Sequence, residues 1–493
     1  VYITAGTLTG SGSFTANGGV GQSGGGGGGG GRIAVYYVTN TNFGGFTTTT
    51  TSAGAGYYSN ATVGTSAFFQ VTDLVNHTTD ATRSLTVYQN FSYATSTALT
   101  LQNITTTSTA TLVIPGGSTL TLSGTFLTAG TSVVTMQSKN NTGQVGGSWV
   151  GTGSTITAAN IQINSGSTIT ANNQGYTYVS GGATGRGPGG GVGAASGNGA
   201  GGGYGGVGGT AGGNAGGTTY GTSTAPIELG SAGGSVAGSG TIAGSGGGAI
   251  RLSVTGTLTL NGTISANGQN AGGGWGDGGG SGGSVYITAG TLTGSGSFTA
   301  NGASGGAGGG GGRIAVYYTV GRLNDTSTRA VNGGSGGVPA GAMGTIIFGA
   351  QPVLTALDPA DTITTGSSVF FGMTANDGDQ RTITLRLQYV TRGDTNCSAE
   401  TFSSGVTTLD SDTSTGWSGT GGSYSTTSGT QGVYLIRTGL SNANYCWRAA
   451  AKASTGAFTD YGSFSTTRLF VVNPFSLALG ALFNTHNVSF TIS

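Results

Sequence analysis

An eighteen-residue segment, VYITAGTLTGSGSFTANG, occurs twice without a single difference, at Val1–Gly18 and at Val285–Gly302. Each copy leads into a run of glycines and then into the same GGRIAVYY, which ends at Tyr37 and at Tyr318. A related segment, GGGAIRLSVTGTLTLNGTISANG, precedes only the second copy, at Gly246–Gly268. Self-similarity of this kind is the signature of a repeat architecture. We therefore interpret the chain as part of a tandem array, or as a subunit that a neighbouring molecule completes.

The stretches between the glycine runs have the alternation of β-strands. In STLTLS (Ser118–Ser123) the two leucines share one face and the inner threonines share the other, which is the period of a half-buried strand. Segments of this kind recur roughly every ten residues between 97 and 173, separated by Gly-Gly, Ser-Gly and Asn-Asn turns. The spacing predicts an all-β chain, and the repeated Leu-Thr-Leu pattern favours a β-solenoid over a β-sandwich.

Glycine supplies 107 of the 493 residues, and its runs have two interpretations. They are either flexible loops or extended helices with three residues per turn, packed side by side. Their fixed positions between matching strands favour the packed arrangement. A net charge of +1 with 35% hydrophobic residues argues against disorder. The Asn-Gly pairs at 267–268 and 301–302 predict tight turns with positive φ into the glycine runs.

Changes of composition along the chain predict five segments. Glycine is densest between 174 and 248, where it occupies 32 of 75 positions, and it thins after 350. The predicted segments are 1–65, the end of a preceding Gly-rich β repeat; 66–173, β-solenoid strands; 174–350, a Gly-rich β repeat unit; 351–468, a β-sandwich; and 469–493, the start of a next module or a strand donated to a neighbour.

The segment 351–468 predicts an immunoglobulin-like β-sandwich. Roughly seven strands fit in it, among them RTITLRLQYV (Arg381–Val390) and NYCWRAAAK (Asn444–Lys452). Its two cysteines, Cys397 and Cys446, predict a disulfide. Because Cys446 alternates with the core-facing Trp447, this bridge would hold a loop against the outside of a sheet and would not cross the core.

The charge distribution excludes a nucleic-acid or anionic-lipid footprint, since the 15 basic residues are scattered and balanced by 14 acidic ones. The sequence contains no run of 18 apolar residues, so we predict no membrane-spanning helix in it. Low charge, abundant hydroxyl groups and a predicted disulfide together indicate an exported protein at the cell surface. Nine Asn-X-Ser/Thr sequons are candidate glycosylation sites: Asn60, Asn76, Asn90, Asn103, Asn140, Asn261, Asn324, Asn396 and Asn487.

The reactive residues do not assemble into a catalytic pattern. Polysaccharide lyases and hydrolases built on solenoids need clustered carboxylates, whereas residues 1–350 contain only isolated acids, of which Asp73 and Asp80 come closest to a pair. The two histidines, His77 and His486, lie far apart in sequence and lack metal-ligand spacing. We expect no enzymatic activity and no cofactor.

Two further patterns each have a binding interpretation and a structural one. Asp377 and Asp379, in NDGDQ, are a weak Ca²⁺ candidate, with a simple turn as the favoured interpretation. The repeated GGRIAVYY places Arg32 and Arg313 before paired tyrosines that would form an aromatic strip for glycans. The favoured interpretation is that the tyrosines alternate between core and surface while each arginine caps a glycine run.

The ordered motifs resemble a known type of module. Residues 155–350, roughly, resemble a module of large secreted or cell-surface Gly-rich proteins, mainly bacterial, that often carry fibronectin-III-like domains. The motifs that carry the resemblance are, in order, STITAANIQINSGSTITANN, TYGTSTAPIELGSAGG and GGGGGRIAVYY. The stretch YCWRAAAKASTGAFTDYGSFSTT (445–467) resembles the last two strands of fibronectin-III domains, although the cysteine pair departs from their usual pattern. The resemblance implies a cell-surface or matrix setting and carries no catalytic residues.

These patterns together predict an extracellular structural protein. It would be the subunit of a surface filament, sheath or stalk, with copies of itself as partners, assembled through strand edges and Gly-rich packing. The predicted assembly edges are Val1, Tyr2, Ile3, Val488, Phe490 and Ile492. The alternative is a glycan-binding surface adhesin, whose partners would be glycans or the surface of a host or neighbouring cell. A third hypothesis, ice binding by a flat threonine face, is disfavoured by the irregular threonine spacing.

Overall fold

The chain divides between Ala350 and Gln351 into two compact units, each described by itself. The structure is a computed structural model. It describes residues 1–22, 24–46, 48–57, 61–72, 80–87, 91–92, 99–238, 240–272, 276–321, 323, 327–336, 339–350, 353–358, 363–365, 369–376, 382–414, 417, 424–425, 431–453 and 464–472.

The described residues of both units form strands joined by turns and extended segments, apart from one turn of 3-10 helix at Cys397–Ala399. The chain is therefore all-β. The strands of the first unit are β1 (Tyr2–Thr9), β2 (Arg32–Thr41), β3 (Thr65–Gln70), β4 (Ser84–Val87), β5 (Phe91–Ser92), β6 (Leu99–Leu101), β7 (Asn103–Thr106), β8 (Thr111–Ile114), β9 (Thr119–Thr128), β10 (Val133–Met136), β11 (Ser154–Ile163), β12 (Thr168–Thr170), β13 (Ala249–Leu260), β14 (Thr263–Ser265), β15 (Ser284–Gly294), β16 (Ser297–Thr299), β17 (Arg313–Gly321), β18 (Arg329–Ala330) and β19 (Thr345–Ala350).

Two sheets, in which all described strand pairs but one are parallel, organise the first unit. Among its described residues the larger sheet has the order β1-β2-β3-β4-β7-β9-β11-β13-β15-β17-β19, with β6 beside β9, and the smaller has the order β18-β16-β14-β12-β10-β8-β5. Successive sequence repeats add one strand to each sheet, so that β13, β15 and β17 are followed by β14, β16 and β18. The cross-strand register is in phase with the repeat: Ile250 lies beside Val285, and Val285 beside Ile314.

The main hydrophobic core is lined by inward-facing residues of both sheets. In β11 the residues Ile156, Ala158 and Ile161 are buried, and Ile169 of β12 and Ile264 of β14 belong to the same cluster. Each fully buried isoleucine contributes about 1.5–3 kcal/mol relative to an exposed one. Alternate side chains of each strand face this core, and in β11 the alternation shifts by one residue at an irregularity in the pairing between Ala158 and Ile161.

The strand direction reverses once in the larger sheet. Strands β1 to β3, which we call the amino-terminal block, are parallel to one another, but β3 is antiparallel to β4. The buried face changes at the same junction. Ala67 of β3 belongs to the main core, whereas Phe68 packs with Ile33 and Val35 in a separate cluster. Because adjacent residues of a strand point to opposite faces, the amino-terminal block has its core on the other side of the sheet.

The glycine runs of the first unit are ordered by backbone hydrogen bonds. Two N–H groups three residues apart, those of Ala200 and Gly203, donate to the same neighbouring tract (2.9 and 2.8 Å). The N–H groups of Gly201 and Gly202 each donate to a different tract (both 2.9 Å). The carbonyl groups of this stretch accept from three further tracts, through the N–H groups of Gly217, Gly234 and Gly310. A period of three is typical of the extended helix with three residues per turn.

Glycine is required in these tracts because the backbones are nearly in contact. A methyl group at Gly201 would overlap the carbonyl oxygen of Gly308, and one at Gly278 would overlap that of Ala200. Ordering each backbone residue costs about 1–2 kcal/mol, and the network of tract-to-tract hydrogen bonds offsets it. We call the described tracts between 174 and 248, with those at 266–272, 276–283 and 300–312, the glycine bundle.

The second unit is built from two sheets of mostly antiparallel strands. Their described orders are β20-β22-β26 and β21-β28-β27-β23-β24, with β25 beside β23. Its core contains Phe371, Leu385, Trp447 and Phe470, all fully buried. The strands are β20 (Val353–Asp358), β21 (Ile363–Thr365), β22 (Val369–Asn376), β23 (Thr382–Arg392), β24 (Thr407–Asp410), β25 (Tyr424–Ser425), β26 (Gln431–Arg437), β27 (Ala443–Ala453) and β28 (Arg468–Val472).

Candidate assembly edges and ladder residues

The two copies of the duplicated segment have opposite environments. Val1 is 52% exposed, whereas its twin Val285 is fully buried. Tyr2 is 61% exposed, while its twin Tyr286 is only partly accessible. Identical sequences differ here because β15 lies between β13 and β17, whereas β1 pairs only with β2 among the described strands. The backbone of β1 is therefore a sheet edge.

The second copy, at Val285–Gly302, shows which neighbours this segment has when another strand pairs with it. In β13, Ile250 and Arg251 lie beside Val285 and Tyr286 in parallel register. The guanidinium carbon of Arg251 is 5.6 Å from the centre of the Tyr286 ring, a cation–π contact. A strand that paired with β1 in the same way would place an apolar residue beside Val1 and a cation near the Tyr2 ring, as Ile250 and Arg251 do in the second copy.

The opposite end of the larger sheet is β19, which pairs only with β17 among the described strands. Ile346 is 39% exposed although its register places it in line with the buried Ile314. Met343, just before the strand, is 68% exposed. An apolar side chain exposed at a sheet edge is unusual, because edges are normally protected by charge, proline or bulges. Among the described strands, β1 and β19 are thus the two terminal strands of the larger sheet.

The two arginines of GGRIAVYY also differ between the copies. Arg313 is 7% exposed; its Nε and Nη2 donate to the carbonyl oxygen of Tyr220 (3.2 and 2.9 Å). Its guanidinium carbon is 5.3 Å from the Tyr204 ring centre. Arg32 is exposed. Arg313 thus ties β17 to the glycine bundle, a role close to the predicted cap.

The paired tyrosines alternate between core and surface. Tyr37 and Tyr318 are buried, at 6% and 3% exposure, whereas Tyr36 and Tyr317 face outward. Tyr36 stacks on Phe69 with ring centres 4.9 Å apart. The Tyr317 hydroxyl donates to the carbonyl oxygen of Thr224 (2.6 Å), and burial raises the pKa of Tyr317 to about 12. The outward tyrosines thus have protein partners of their own.

A buried polar cluster joins the glycine bundle to the larger sheet. The Tyr204 hydroxyl lies 2.6 Å from Ser284 Oγ and donates to Glu228 Oε2 (3.1 Å). Burial raises the pKa of Tyr204 well above its usual value, and the nearby Glu228 acts in the same direction. Another acid, Asp277, is buried, with 1% exposure, and its carboxylate accepts from the Val236 N–H (2.6 Å). Both acids serve as hydrogen-bond acceptors for the Gly-rich segments.

The Asn-Gly prediction was wrong, and an asparagine ladder replaces it. None of the four residues at 267–268 and 301–302 has positive φ. Instead Asn172 Oδ1 accepts from the Asn267 N–H, Asn267 Oδ1 from the Asn301 N–H, and Asn301 Oδ1 from the Asn332 N–H (2.7, 2.7 and 2.8 Å). The signal in the sequence was the recurrence of asparagine at the same point of successive repeats.

A shallow trough of about 310 Å³ crosses four repeats beside the smaller sheet. Hydroxyl groups, an amide and glycine backbone line it. The lining residues are Ser165, Gly166, Ser167, Thr168, Asn261, Gly262, Thr263, Ser295, Gly296, Ser297 and Thr328. Neither a charged nor an aromatic side chain is among these residues.

In the second unit a disulfide joins Cys397 to Cys446. Cys446 packs with Val390 and Leu469 in a small cluster outside the main core, while its neighbour Trp447 belongs to that core. The bridge therefore holds the turn after β23 against the outer face of β27. No cysteine in the chain is left free.

Four predicted sequons lie among the described residues. Asn103 is engaged within the sheet, since its Oδ1 accepts from the Thr125 N–H (2.7 Å) and its Nδ2 donates to Ser84 Oγ (3.2 Å). Asn261 and Asn396 are exposed and Asn140 is partly so. Glycosylation stays a prediction at all of them. Asn60, Asn76, Asn90, Asn324 and Asn487 lie outside the described residues.

Several other predicted residues also lie outside the described part of the chain: Asp73, His77, Asp377, Asp379, His486, Val488, Phe490 and Ile492. Asp80 is described, and Thr82 donates to its carboxylate through Oγ1 and N–H (2.6 and 2.8 Å), which lowers the Asp80 pKa. Within the described ranges, no three histidine, cysteine or acidic side chains form a group that would hold a metal.

No protein-family model matches the sequence, and no curated protein is detectably similar to it. Among the residues that the structure describes, none belongs to a helix of the length and apolarity needed to cross a bilayer.

Proposed function

We propose that this protein is an extracellular structural subunit, in which β-solenoid repeats and a fibronectin-III-like sandwich assemble into a filament, sheath or stalk. The observation that carries the proposal lies at the terminal strand β19 of the larger sheet, where Ile346 is 39% exposed although its register places it in line with the buried Ile314. An edge with unpaired backbone groups and exposed apolar side chains is a template for pairing with another chain.

The low charge of the chain supports the same proposal. With 15 basic and 14 acidic residues in 493, copies approach one another with little electrostatic repulsion. The disulfide and the resemblance to secreted Gly-rich proteins support a location outside the cell. We assign the chain no catalytic role and no cofactor.

Electron microscopy of the purified protein at neutral pH, without added ligand, tests the proposal. We expect regular filaments with a fixed axial repeat. Single elongated particles at every protein concentration, together with a monomer mass from light scattering, would overturn it.

The alternative, a glycan-binding adhesin, rests on the outward tyrosines Tyr36 and Tyr317. It predicts binding on a glycan array that Tyr317→Ala removes. Since the Tyr317 hydroxyl donates to Thr224 O, Tyr317→Phe separates the loss of that hydrogen bond from the loss of the ring.

A further inference from the structure

Six Asn-Gly pairs occur in the chain, and the structure describes all of them. The backbone nitrogen of the glycine in such a pair can attack the asparagine side chain, since glycine has no side chain that would hinder the approach. In a folded protein the reaction depends on what holds these two groups in place. The six asparagines are Asn17, Asn198, Asn261, Asn267, Asn301 and Asn332.

In five of the pairs the glycine N–H donates to a backbone carbonyl oxygen. The donors and acceptors are Gly18 and Ser52, Gly199 and Gly276, Gly262 and Ile163, Gly268 and Asn301, and Gly302 and Asn332 (2.8, 2.5, 3.0, 2.9 and 2.8 Å). Gly333 is the exception, because within the described part of the chain its N–H donates to no acceptor. The attacking nitrogen is therefore held by a hydrogen bond in five pairs and is free in one.

The side chains of the asparagine ladder differ in the same way. Oδ1 of Asn267 and Oδ1 of Asn301 each accept from the N–H of the next asparagine in the ladder (2.7 and 2.8 Å). Nδ2 of Asn267 also donates to Thr299 Oγ1 (3.1 Å). Asn332 is exposed, and among the described residues its side-chain amide has no hydrogen-bond partner. At this last member of the ladder, both reacting groups are thus unrestrained.

We propose that Asn332 is a site of spontaneous deamidation, from which the ladder protects Asn267 and Asn301 at the same point of the preceding repeats. A base in the solvent removes the Gly333 N–H proton, and the nitrogen attacks Asn332 Cγ. A bond forms between this nitrogen and Cγ, the bond from Cγ to Nδ2 breaks, and Nδ2 takes up a proton and leaves as ammonia. Water then opens the resulting succinimide at one of its two carbonyl carbons, which gives aspartate or isoaspartate.

The ladder protects because ring closure needs two movements. The asparagine side chain must rotate towards the following peptide, and that peptide must rotate towards Cγ. At Asn267 and Asn301 these movements break the hydrogen bonds of Oδ1 and of the glycine N–H, whereas at Asn332 they break neither. We expect Asn332 to deamidate about ten-fold or more faster than either, since two net-favourable hydrogen bonds must first open at each protected site.

The products change the end of the ladder. Either product adds one negative charge to a chain whose net charge is +1. Isoaspartate also routes the backbone through the former side chain, so that the carbonyl group of residue 332, which accepts from the Gly302 N–H, no longer belongs to a peptide bond. The inference concerns a modification site and does not depend on the proposed function.

Peptide mapping of the full chain by mass spectrometry, after incubation of the folded protein in mildly alkaline buffer, tests the proposal. We expect aspartate and isoaspartate to accumulate in the peptide that contains Asn332, about ten-fold or more faster than at Asn267 and Asn301. The same incubation in denaturant is the comparison, and there the three rates should approach one another. Equal rates at the three sites of the folded protein would overturn the proposal, as would an Asn332 that reacts only in denaturant.

Asn332→Gln is the matched variant, because glutamine keeps the amide but would have to close a larger ring, which forms more slowly. The side chain is exposed, so the variant should keep its fold. We expect the isoaspartate content of the folded protein, measured by enzymatic methylation, to fall in Asn332→Gln. The control Asn198→Gln alters a pair whose glycine N–H is held by Gly276, and it should leave the content unchanged. An equal content in both variants would contradict the assignment.

Discussion

At the scale of single residues, two tyrosine side chains of the first unit have hydroxyl groups that bond within the protein. Tyr204 and Tyr317 both donate hydrogen bonds inside the molecule. Burial raises the pKa of both, that of Tyr317 to about 12. Their protonated forms are therefore favoured in the folded state relative to the unfolded chain.

This predicts alkaline destabilisation of the first unit. An unfolded tyrosine loses its proton near pH 10, while folded Tyr317 keeps it up to about pH 12. The stabilisation is present below pH 10 and lost as the pH rises through the folded pKa. Denaturant titrations should show the free energy of unfolding falling between pH 10 and 12, with a smaller fall in Tyr317→Phe. The control Tyr57→Phe, at a 71% exposed position, should follow the unsubstituted protein; an identical fall in all three contradicts the assignment.

At the scale of elements, the strands and the glycine tracts are stabilised by different interactions. Strands such as β11 are stabilised by the burial of isoleucine, and their positions follow from a period of two. The glycine tracts have no side chains to bury, so backbone hydrogen bonds with a period of three keep them ordered. A run of glycines has no side-chain pattern from which its neighbouring tracts could be predicted. The sequence therefore could not show which glycine tract pairs with which.

Gly201→Ala tests this dependence on close approach. Its methyl group would overlap the backbone of Gly308, and we expect a loss of about 2 kcal/mol or more in the free energy of unfolding of the first unit. The matched control is Gly12→Ala, where nothing lies within 4 Å of the added carbon. It should be neutral or slightly stabilising. Thermal or denaturant unfolding measures both, and equal effects would refute the packed bundle.

At the scale of the whole molecule, the two units differ in what stabilises them. The first has its repeated strands and the glycine bundle. The second has a hydrophobic core around Trp447 and the disulfide between Cys397 and Cys446, which are 49 residues apart in sequence.

Removal of the disulfide should therefore affect only one unfolding transition. Closing a loop of this length contributes about 2–4 kcal/mol. Calorimetry of Cys397→Ser with Cys446→Ser should lower the midpoint of the second unit and leave that of the first unchanged. A matching shift of both transitions would show that the units unfold as one.

The sequence alone determined the all-β character of this protein, the strand positions and the core-facing residues, because the alternation that encodes them is local. It also indicated the cysteine pair and the alternation of the tyrosines in GGRIAVYY. It did not reveal the asparagine ladder, the reversal between β3 and β4 or the burial of Arg313. Val1–Gly18 and Val285–Gly302 show the reason most directly: the same residues form the same strand, yet one copy is an open edge and the other lies inside a sheet. Local sequence determines that a segment forms a strand. Which strands pair with it depends on segments far along the chain, and only the tertiary structure brings those segments together.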